Sequence, residues 1–245
     1  MKKFAVNNAP LYLRVKDVLL EAIRSGEIVV DGRLLSEETL TKQFNVSRAT
    51  IRSALQLLEK DGIISKRHGS GTIVNTEGLQ VKIRIDEFKG FFELIRESGH
   101  TPSIGEKKLL EVQLEKKICD VLDLDNGSKG LLLQRLFWGD GKPLIYAKEY
   151  IPFSILRERP TIEEVPESIF ELADSYCTDP VSYSITEISS TIADKKLKQL
   201  MELPGNETLI RLEEIHYSRV NQPLMYSDIL VRDSIIRFHA VRIRK

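Results

Sequence analysis

The chain has 245 residues, 42% hydrophobic and 29% charged, with 36 basic side chains against 36 acidic ones. That is the composition of an ordinary globular protein of one or two domains, each long enough to bury a core. No apolar run approaches the roughly 18 residues of a membrane span, and Met1-Lys2-Lys3-Phe4 leads into polar Asn7-Asn8 rather than an apolar signal core, so a cytoplasmic protein with no membrane partner is expected. Cys119 and Cys177 are too few for a disulfide framework and lack metal-ligand spacing; both are expected as buried thiols, with no metal and no cofactor. The even charge balance conceals an asymmetry. Residues 1–75 carry 12 Lys+Arg and 8 Asp+Glu, whereas the remaining 170 carry 24 and 28. Arg48, Arg52, Lys60, Lys66 and Arg67 fall within residues 45–75 against only Glu59 and Asp61, which makes this the segment best suited to meet phosphate.

In chain order, Leu11, Val15, Val18, Leu19, Ala22 and Ile23 recur at three and four and predict an amphipathic helix over 11–25, stopped by Gly26. Ser36 is an N-cap for a short second helix carrying Leu40 and Phe44, and Asn45 follows at a turn where a left-handed backbone is tolerated. Ser47 caps a third helix from Arg48 to about Lys60, with Ile51, Ala54, Leu55 and Leu58 inward and Arg48, Ala49, Thr50, Arg52 and Ser53 around its exposed first turns. Two short helices joined by a tight turn make a helix-turn-helix candidate, although helical proteins also use such pairs as scaffolding. Beyond Asp61-Gly62, the runs Ile63-Ile64-Ser65-Lys66 and Thr72-Ile73-Val74 flank Arg67-His68-Gly69-Ser70-Gly71 and predict a hairpin with a basic, glycine-rich tip. A helix-turn-helix followed by such a wing is a DNA-binding module. Its recognition helix offers N-terminal side chains to base edges, Gly69 and Gly71 let a backbone approach the sugar-phosphate, and Arg67 is a candidate phosphate contact. As a nucleotide phosphate loop, Gly69-Ser70-Gly71 fits poorly, because it lacks the full glycine spacing and sits between two strands.

Pro10-Leu11-Tyr12, Leu34-Leu35-Ser36-Glu37, Phe44-Asn45-Val46-Ser47-Arg48-Ala49-Thr50-Ile51-Arg52, Leu57-Leu58-Glu59-Lys60-Asp61-Gly62 and His68-Gly69-Ser70-Gly71-Thr72 together resemble the winged helix of the GntR family of bacterial transcription regulators. The resemblance implies DNA contacts by Ser47, Arg48, Thr50 and Arg52 on the recognition helix and by His68 and Gly69 at the wing tip. Two positions depart from the family pattern: Leu35 stands where Pro is usual, and Glu38 where many members carry an Arg that can touch DNA.

Residues 75–82 lack helical periodicity and are expected as a linker between a winged helix-turn-helix domain at 1–74 and a second domain at 83–245. That second segment contains a repeat. Glu115-Lys116-Lys117-Ile118 through Leu124 matches Asp194-Lys195-Lys196-Leu197 through Leu203 at an offset of 79, and Pro143-Leu144-Ile145-Tyr146 matches Pro223-Leu224-Met225-Tyr226 at an offset of 80. Two copies of a helix followed by a hairpin predict one mixed domain with a mostly antiparallel sheet, hence an α+β protein overall. Along 131–138, strand alternation puts Leu131, Leu133, Arg135 and Phe137 on one face. An Arg on an apolar face needs a partner: either Glu149 on the returning strand in an internal ion pair, or an anionic ligand in a pocket with Phe137 and Glu149, and with Tyr226 and Asp228 near it.

Ser98-Gly99-His100-Thr101-Pro102-Ser103, the Leu133-Gln134-Arg135 strand, Gly139-Asp140-Gly141-Lys142-Pro143, Glu149-Tyr150-Ile151-Pro152 and Tyr226-Ser227-Asp228 to Arg232-Asp233 resemble the effector-sensing UTRA domain of HutC-type GntR regulators. This implies a chorismate-lyase-like fold, a small-molecule pocket on the sheet and a homodimer built through this domain. Many members carry Arg-x-Arg on that strand. Here Phe137 replaces the second Arg, which leaves a carboxylate or aromatic metabolite as open as a sugar phosphate. The expected function is a regulator, in the main a repressor, that reads a palindromic double-stranded operator and answers to a small anionic metabolite. Two alternatives are an enzyme and a DNA-binding redox sensor. An enzyme of the same fold finds no Gly-x-Ser-x-Gly elbow or His-Glu-x-x-His, and pairs such as Glu163-Glu164 and Glu213-Glu214 are expected at the surface. A redox sensor would act through Cys119, which sits beside Ile118 in an amphipathic helix where a structural thiol is expected.

Overall fold

The computed structural model describes residues 10–67, 69, 71–81, 83–205 and 207–242. Contacts divide the chain into two compact units: residues up to Asp86 together with the stretch from His239, and Glu87–Phe238. Among the described residues no helix is long and apolar enough to cross a membrane.

The first unit is three helices and a small sheet. Helix α1 (Leu11–Arg24) buries Val15, Leu19, Ala22 and Ile23, which lie on one face because they are spaced by three and four. A hairpin of β1 (Val29–Val30) and β2 (Arg33–Leu34) follows; its two turn residues, Asp31 and Gly32, both have positive φ, as a two-residue hairpin turn of matching twist requires. The Asp-Gly signal was present in the sequence, but the strands are too short for alternation to reveal them. Helices α2 (Glu37–Phe44) and α3 (Arg48–Lys60) start where expected, with the Ser36 and Ser47 hydroxyls each accepting a backbone N–H three residues on, at 3.1 Å. Each cap contributes about 1 kcal/mol. Asn45 takes the left-handed conformation at φ 51° that turns the chain between them. The wing pairs β3 (Ile64–Arg67) with β4 (Gly71–Val74) in the register Arg67–Gly71. Leu40, Phe44, Ile51, Ala54, Leu55, Leu58, Ile64 and Val74 close one core with α1.

The expected linker differs. Thr76–Gln80 forms a short helix, α4, whose Leu79 packs on this core, and Gly78 lies so close to the Gly62 carbonyl that a methyl group would overlap it. The sequence ended the first unit at 74 and began the second at 83; here the chain remains with the first unit through Asp86. Ile83 and Ile85 exchange backbone hydrogen bonds with His239, and Arg84 donates to the Asp61 carbonyl at 2.8 Å.

The second unit carries α5 (Phe91–Glu97), β5 (Pro102–Gln113), α6 (Lys116–Val121), β6 (Lys129–Gly139), β7 (Lys142–Pro152), α7 (Ile169–Tyr176), β8 (Tyr183–Ile192), α8 (Lys195–Leu200), β9 (Thr208–Tyr217) and β10 (Pro223–Arg232). Its six strands run in the order β5-β6-β7-β10-β9-β8, all antiparallel. The repeat explains this order. Each copy is a long strand, a short helix and a hairpin, and the two copies meet at β7 and β10. Two residues past the end of each short helix the chain takes positive φ, at Asp123 and Glu202, at the same 79-residue offset as the sequence match. One sheet face packs on α6, through Tyr150, Ile215 and Tyr226, and on α8, through Leu136, Tyr146 and Leu230. The opposite face is covered by α5 and α7, with Phe137 ringed by Phe91 and Phe92 and with Leu133 and Ile151 against Leu172.

Candidate nucleic-acid interface and ligand site

Because α3 turns its apolar positions inward, its first turns face out. Arg48, Ala49 and Arg52 are exposed, Thr50 and Ser53 half-buried, and the Ser47 and Thr50 hydroxyls are bonded to each other at 2.8 Å. Arg48 and Arg67 have no acidic partner among the described residues. Arg52 is held differently: its Nε donates to Glu37 at 2.7 Å, and Lys66 of the wing reaches the same carboxylate at 3.5 Å. The Arg52 guanidinium, bonded to Glu37, holds that carboxyl below its usual range, and the carboxylate in turn raises the guanidinium. One acidic residue at the start of α2 thus ties the recognition helix to the wing, a link no sequence pattern displayed. Glu38, the unusual residue, pairs with Lys42 at 2.8 Å. At the wing tip Gly69 and Gly71 have φ of 77° and 81° with open space where a Cβ would stand, so a backbone can come close there. His68 lies outside the described residues.

In the second unit Arg135 and Glu149 are fully buried and form a bidentate ion pair, with Nε to Oε2 at 2.9 Å and Nη2 to Oε1. The remaining terminal nitrogen donates to the carbonyls of Pro166 at 3.1 Å and Glu167 at 2.5 Å, while Lys107 reaches the Val165 carbonyl at 3.2 Å. Three successive carbonyls of one loop therefore rest on two cations of the sheet. Phe137 is buried beside Arg135, whose guanidinium carbon lies 5.1 Å from the ring centroid.

Tyr226 and Asp228 do not join them. Glu149 pairs with Ser227, whereas Tyr226 pairs with Tyr150 and Asp228 with Lys148, so alternation sends both to the opposite face. There Asp228 accepts from Arg211 at 2.7 Å and Tyr226 donates to Glu213, which also takes Lys117 at 2.5 Å. Burial and the Glu213 carboxylate push the Tyr226 hydroxyl up. The five residues expected around one ligand thus divide three to two across the sheet.

Sequence reasoning missed what does share a face with Arg135 and Glu149. Ser227 lies next to Glu149 and 2.8 Å from Nε2 of buried His216, whose Nδ1 is 2.6 Å from Ser184; beside it Thr186 donates to Glu214 at 3.0 Å. A row of polar groups crosses the covered face from β6 to β8. Burial pulls His216 down to about 4, so it is neutral near pH 7; burial, with the Glu149 charge adding to it, raises Glu214. Glu213 and Glu214 were expected at the surface and instead have side-chain exposures of 16% and 21%. The only signal was their place on a strand between apolar neighbours. Both cysteines are buried, as expected; Cys119 donates to the Leu114 carbonyl, and burial raises Cys177 to about 11, far from a reactive thiolate.

A capped helix presenting cations beside a basic wing, joined to a repeat-built antiparallel sheet, defines a DNA-binding transcription regulator with a separate second domain. The model of the bacterial regulatory proteins of the gntR family matches residues 11–74, and that of the UTRA domain matches 97–237, more than half of the chain. The chain belongs to the UTRA-domain transcription regulators of the GntR family. It is 22% identical over 223 residues to the HTH-type transcriptional regulator GgaR of Escherichia coli (strain K12), covering 91% of this chain and 87% of GgaR. To the HTH-type transcriptional repressor NagR of Bacillus subtilis (strain 168) it is 23% identical over 211 residues, covering 85% and 84%. The crystal structure of YydK from Bacillus subtilis subsp. subtilis str. 168 superposes with a TM-score of 0.76 at 20% identity, covering 96% of this chain and 100% of YydK, which is a likeness of fold.

Proposed function

We propose that the protein is a cytoplasmic, dimeric repressor without catalytic activity, reading a palindromic operator with Ser47, Arg48, Thr50 and Arg52 on α3 and with Arg67, His68 and Gly69 at the wing. The observation that carries this is the exposed Arg48, without an acidic partner among the described residues, at the first turn of a capped helix next to a wing with Gly69 and Gly71 at its tip. One winged helix touches too few base pairs for genomic specificity, and a twofold pair matches a palindrome. Selection from random duplexes, followed by fluorescence anisotropy, tests it. R48A is expected to lose about 1–3 kcal/mol of affinity for the selected site if Arg48 pairs with a guanine. Unchanged affinity removes α3 from the readout.

The effector in this proposal is a small anionic metabolite that binds on the face of Arg135, Phe137 and Glu149, in reach of His216 and Ser227, with Tyr226 and Asp228 outside the site. Support comes from the loop carbonyls of 165–167 resting on Lys107 and Arg135. These are neutral acceptors on cations, and an anion that displaced them would make stronger, charge-assisted bonds. A ligand changes operator affinity only by binding two arrangements unequally, and displacing the loop supplies the second arrangement. A thermal-shift screen of anionic metabolites, read against operator release, tests this; metabolites that stabilise the protein equally well after Lys107→Ala would point elsewhere.

A further inference from the structure

The internal repeat sets one half of the second unit beside the other. On the sheet face under α6 and α8, β6 corresponds to β9 at an offset of 79 and β7 to β10 at 80. The strand register agrees: Gln134 lies opposite Lys148 as Glu213 lies opposite Asp228, and Leu136 opposite Tyr146 as Ile215 opposite Tyr226. Lys196 of α8 corresponds in the same way to Lys117 of α6. Under α6 these groups close on one another. Glu213 takes Lys117 at 2.5 Å and the hydroxyl of buried Tyr226, and Lys117 stands 5.8 Å from the centroid of that ring.

Under α8 the tyrosine and the lysine recur, but Gln134 stands in place of the carboxylate, and a cavity of about 410 Å³ opens there. Its walls hold Gln134, Tyr146 and Lys196, with Leu136 and Leu200 beside them. Lys108 joins from β5 and pairs with Glu106 at 2.6 Å, so the charged residues of the walls are two lysines against one glutamate. Among the described residues the Tyr146 hydroxyl, the Gln134 amide and the Lys196 ammonium make no hydrogen bond or ion pair. Burial, with the Glu106 and Asp228 charges adding to it, pushes the Tyr146 hydroxyl up, so it remains a donor.

We propose that this cavity binds a small carboxylate with an apolar body, its carboxylate taking the place that Glu213 fills in the other half of the repeat. The protein itself shows the chemistry: one carboxylate accepts from both a lysine and a tyrosine in the α6 half, and the α8 half keeps both donors without the acceptor. Leu136, Leu200 and the Tyr146 ring supply the apolar wall, and the volume is that of a small-molecule site. The cavity lies across the sheet from Arg135, so it does not depend on the anion site proposed there.

Benzoate, with benzamide as its uncharged counterpart, is the probe. In methyl spectra of the full chain, benzoate is expected to shift Leu136 and Leu200 saturably, and benzamide to bind at least about tenfold more weakly, the loss of one charge-assisted bond. Q134E supplies from within the carboxylate that the α6 half already has. It is expected to abolish benzoate binding while melting no lower than the parent. Y146F removes a hydroxyl that the protein itself does not bond, and is expected to weaken benzoate several-fold at an unchanged melting temperature. Benzoate that shifts Leu131 and Leu133 instead, and is lost in K107A but not in Q134E, sits on the Arg135 face; that overturns this inference and supports the other site. Equal binding of benzoate and benzamide, equal binding by parent, Q134E and Y146F, or no binding by the parent overturns it as well.

Discussion

Replacing Arg135 by alanine strands the Glu149 carboxylate in the covered face of the sheet, because both partners are about 1% exposed and no other cation is bonded to that carboxylate among the described residues. Removing one member of a buried pair costs about 3–5 kcal/mol, most of it the desolvation of the charge left behind. For a protein of this length each kcal/mol lowers the melting temperature by about 2–4 °C, so R135A is expected to melt roughly 6–20 °C below the parent. The paired replacement R135M/E149L buries no charge and is expected to recover most of that loss, since apolar residues of similar volume substitute for ion pairs with little cost. Circular dichroism melting of the three proteins, with operator anisotropy on each, separates structure from sensing. If the anion site is on this face, the double variant binds operator but no longer releases it with a metabolite that acts on the parent. An R135A variant melting within about 2 °C of the parent would refute the buried-pair argument, as the cost of an unpaired buried charge could not then be present. A stable double variant that still responds would remove Arg135 from the ligand site.

His216 makes stability fall in acid. Its pKa in the folded state is about 4 because it is buried, against about 6.5 unfolded, so the unfolded chain takes the proton first; this stabilisation is complete above pH 6.5 and disappears as pH falls to 4, about 3 kcal/mol in all. Glu214, raised by burial, acts in the opposite sense, so the test is the difference between H216Q and the parent: the variant should show a shallower decline in melting temperature from pH 6.5 to 4, and parallel curves would contradict it. G78A should destabilise the first unit by about 1–3 kcal/mol, as the methyl meets the Gly62 carbonyl rather than a side chain able to move. Amide hydrogen exchange of α3 reads this out, and unaltered protection would show that α4 packs less closely.

The helix-turn-helix was legible in the sequence because everything that specifies it is local. The Ser36 and Ser47 caps, the left-handed Asn45 and the inward stripe of α3 involve residues no more than a few positions apart, and so does the wing. The repeat was equally visible, since matching residues recur at an offset of 79 whatever they pack against, and it foretold the two helix-hairpin copies in the sheet. That Arg135, Leu133 and Phe137 share a face is also a property of one strand. Whether Tyr226 and Asp228 join them on that face is not. β7 and β10 lie about 80 residues apart in the chain, and a slip of one residue between them would exchange every side chain from one face to the other. Only the Glu149–Ser227 register put His216 and Glu214 with Arg135 and sent Asp228 to Arg211. The salt link from Glu37 to Arg52 and Lys66, and the return of the chain from His239 to the first unit, were likewise decided by tertiary packing, because contacts between segments far apart in sequence leave no periodicity in either one.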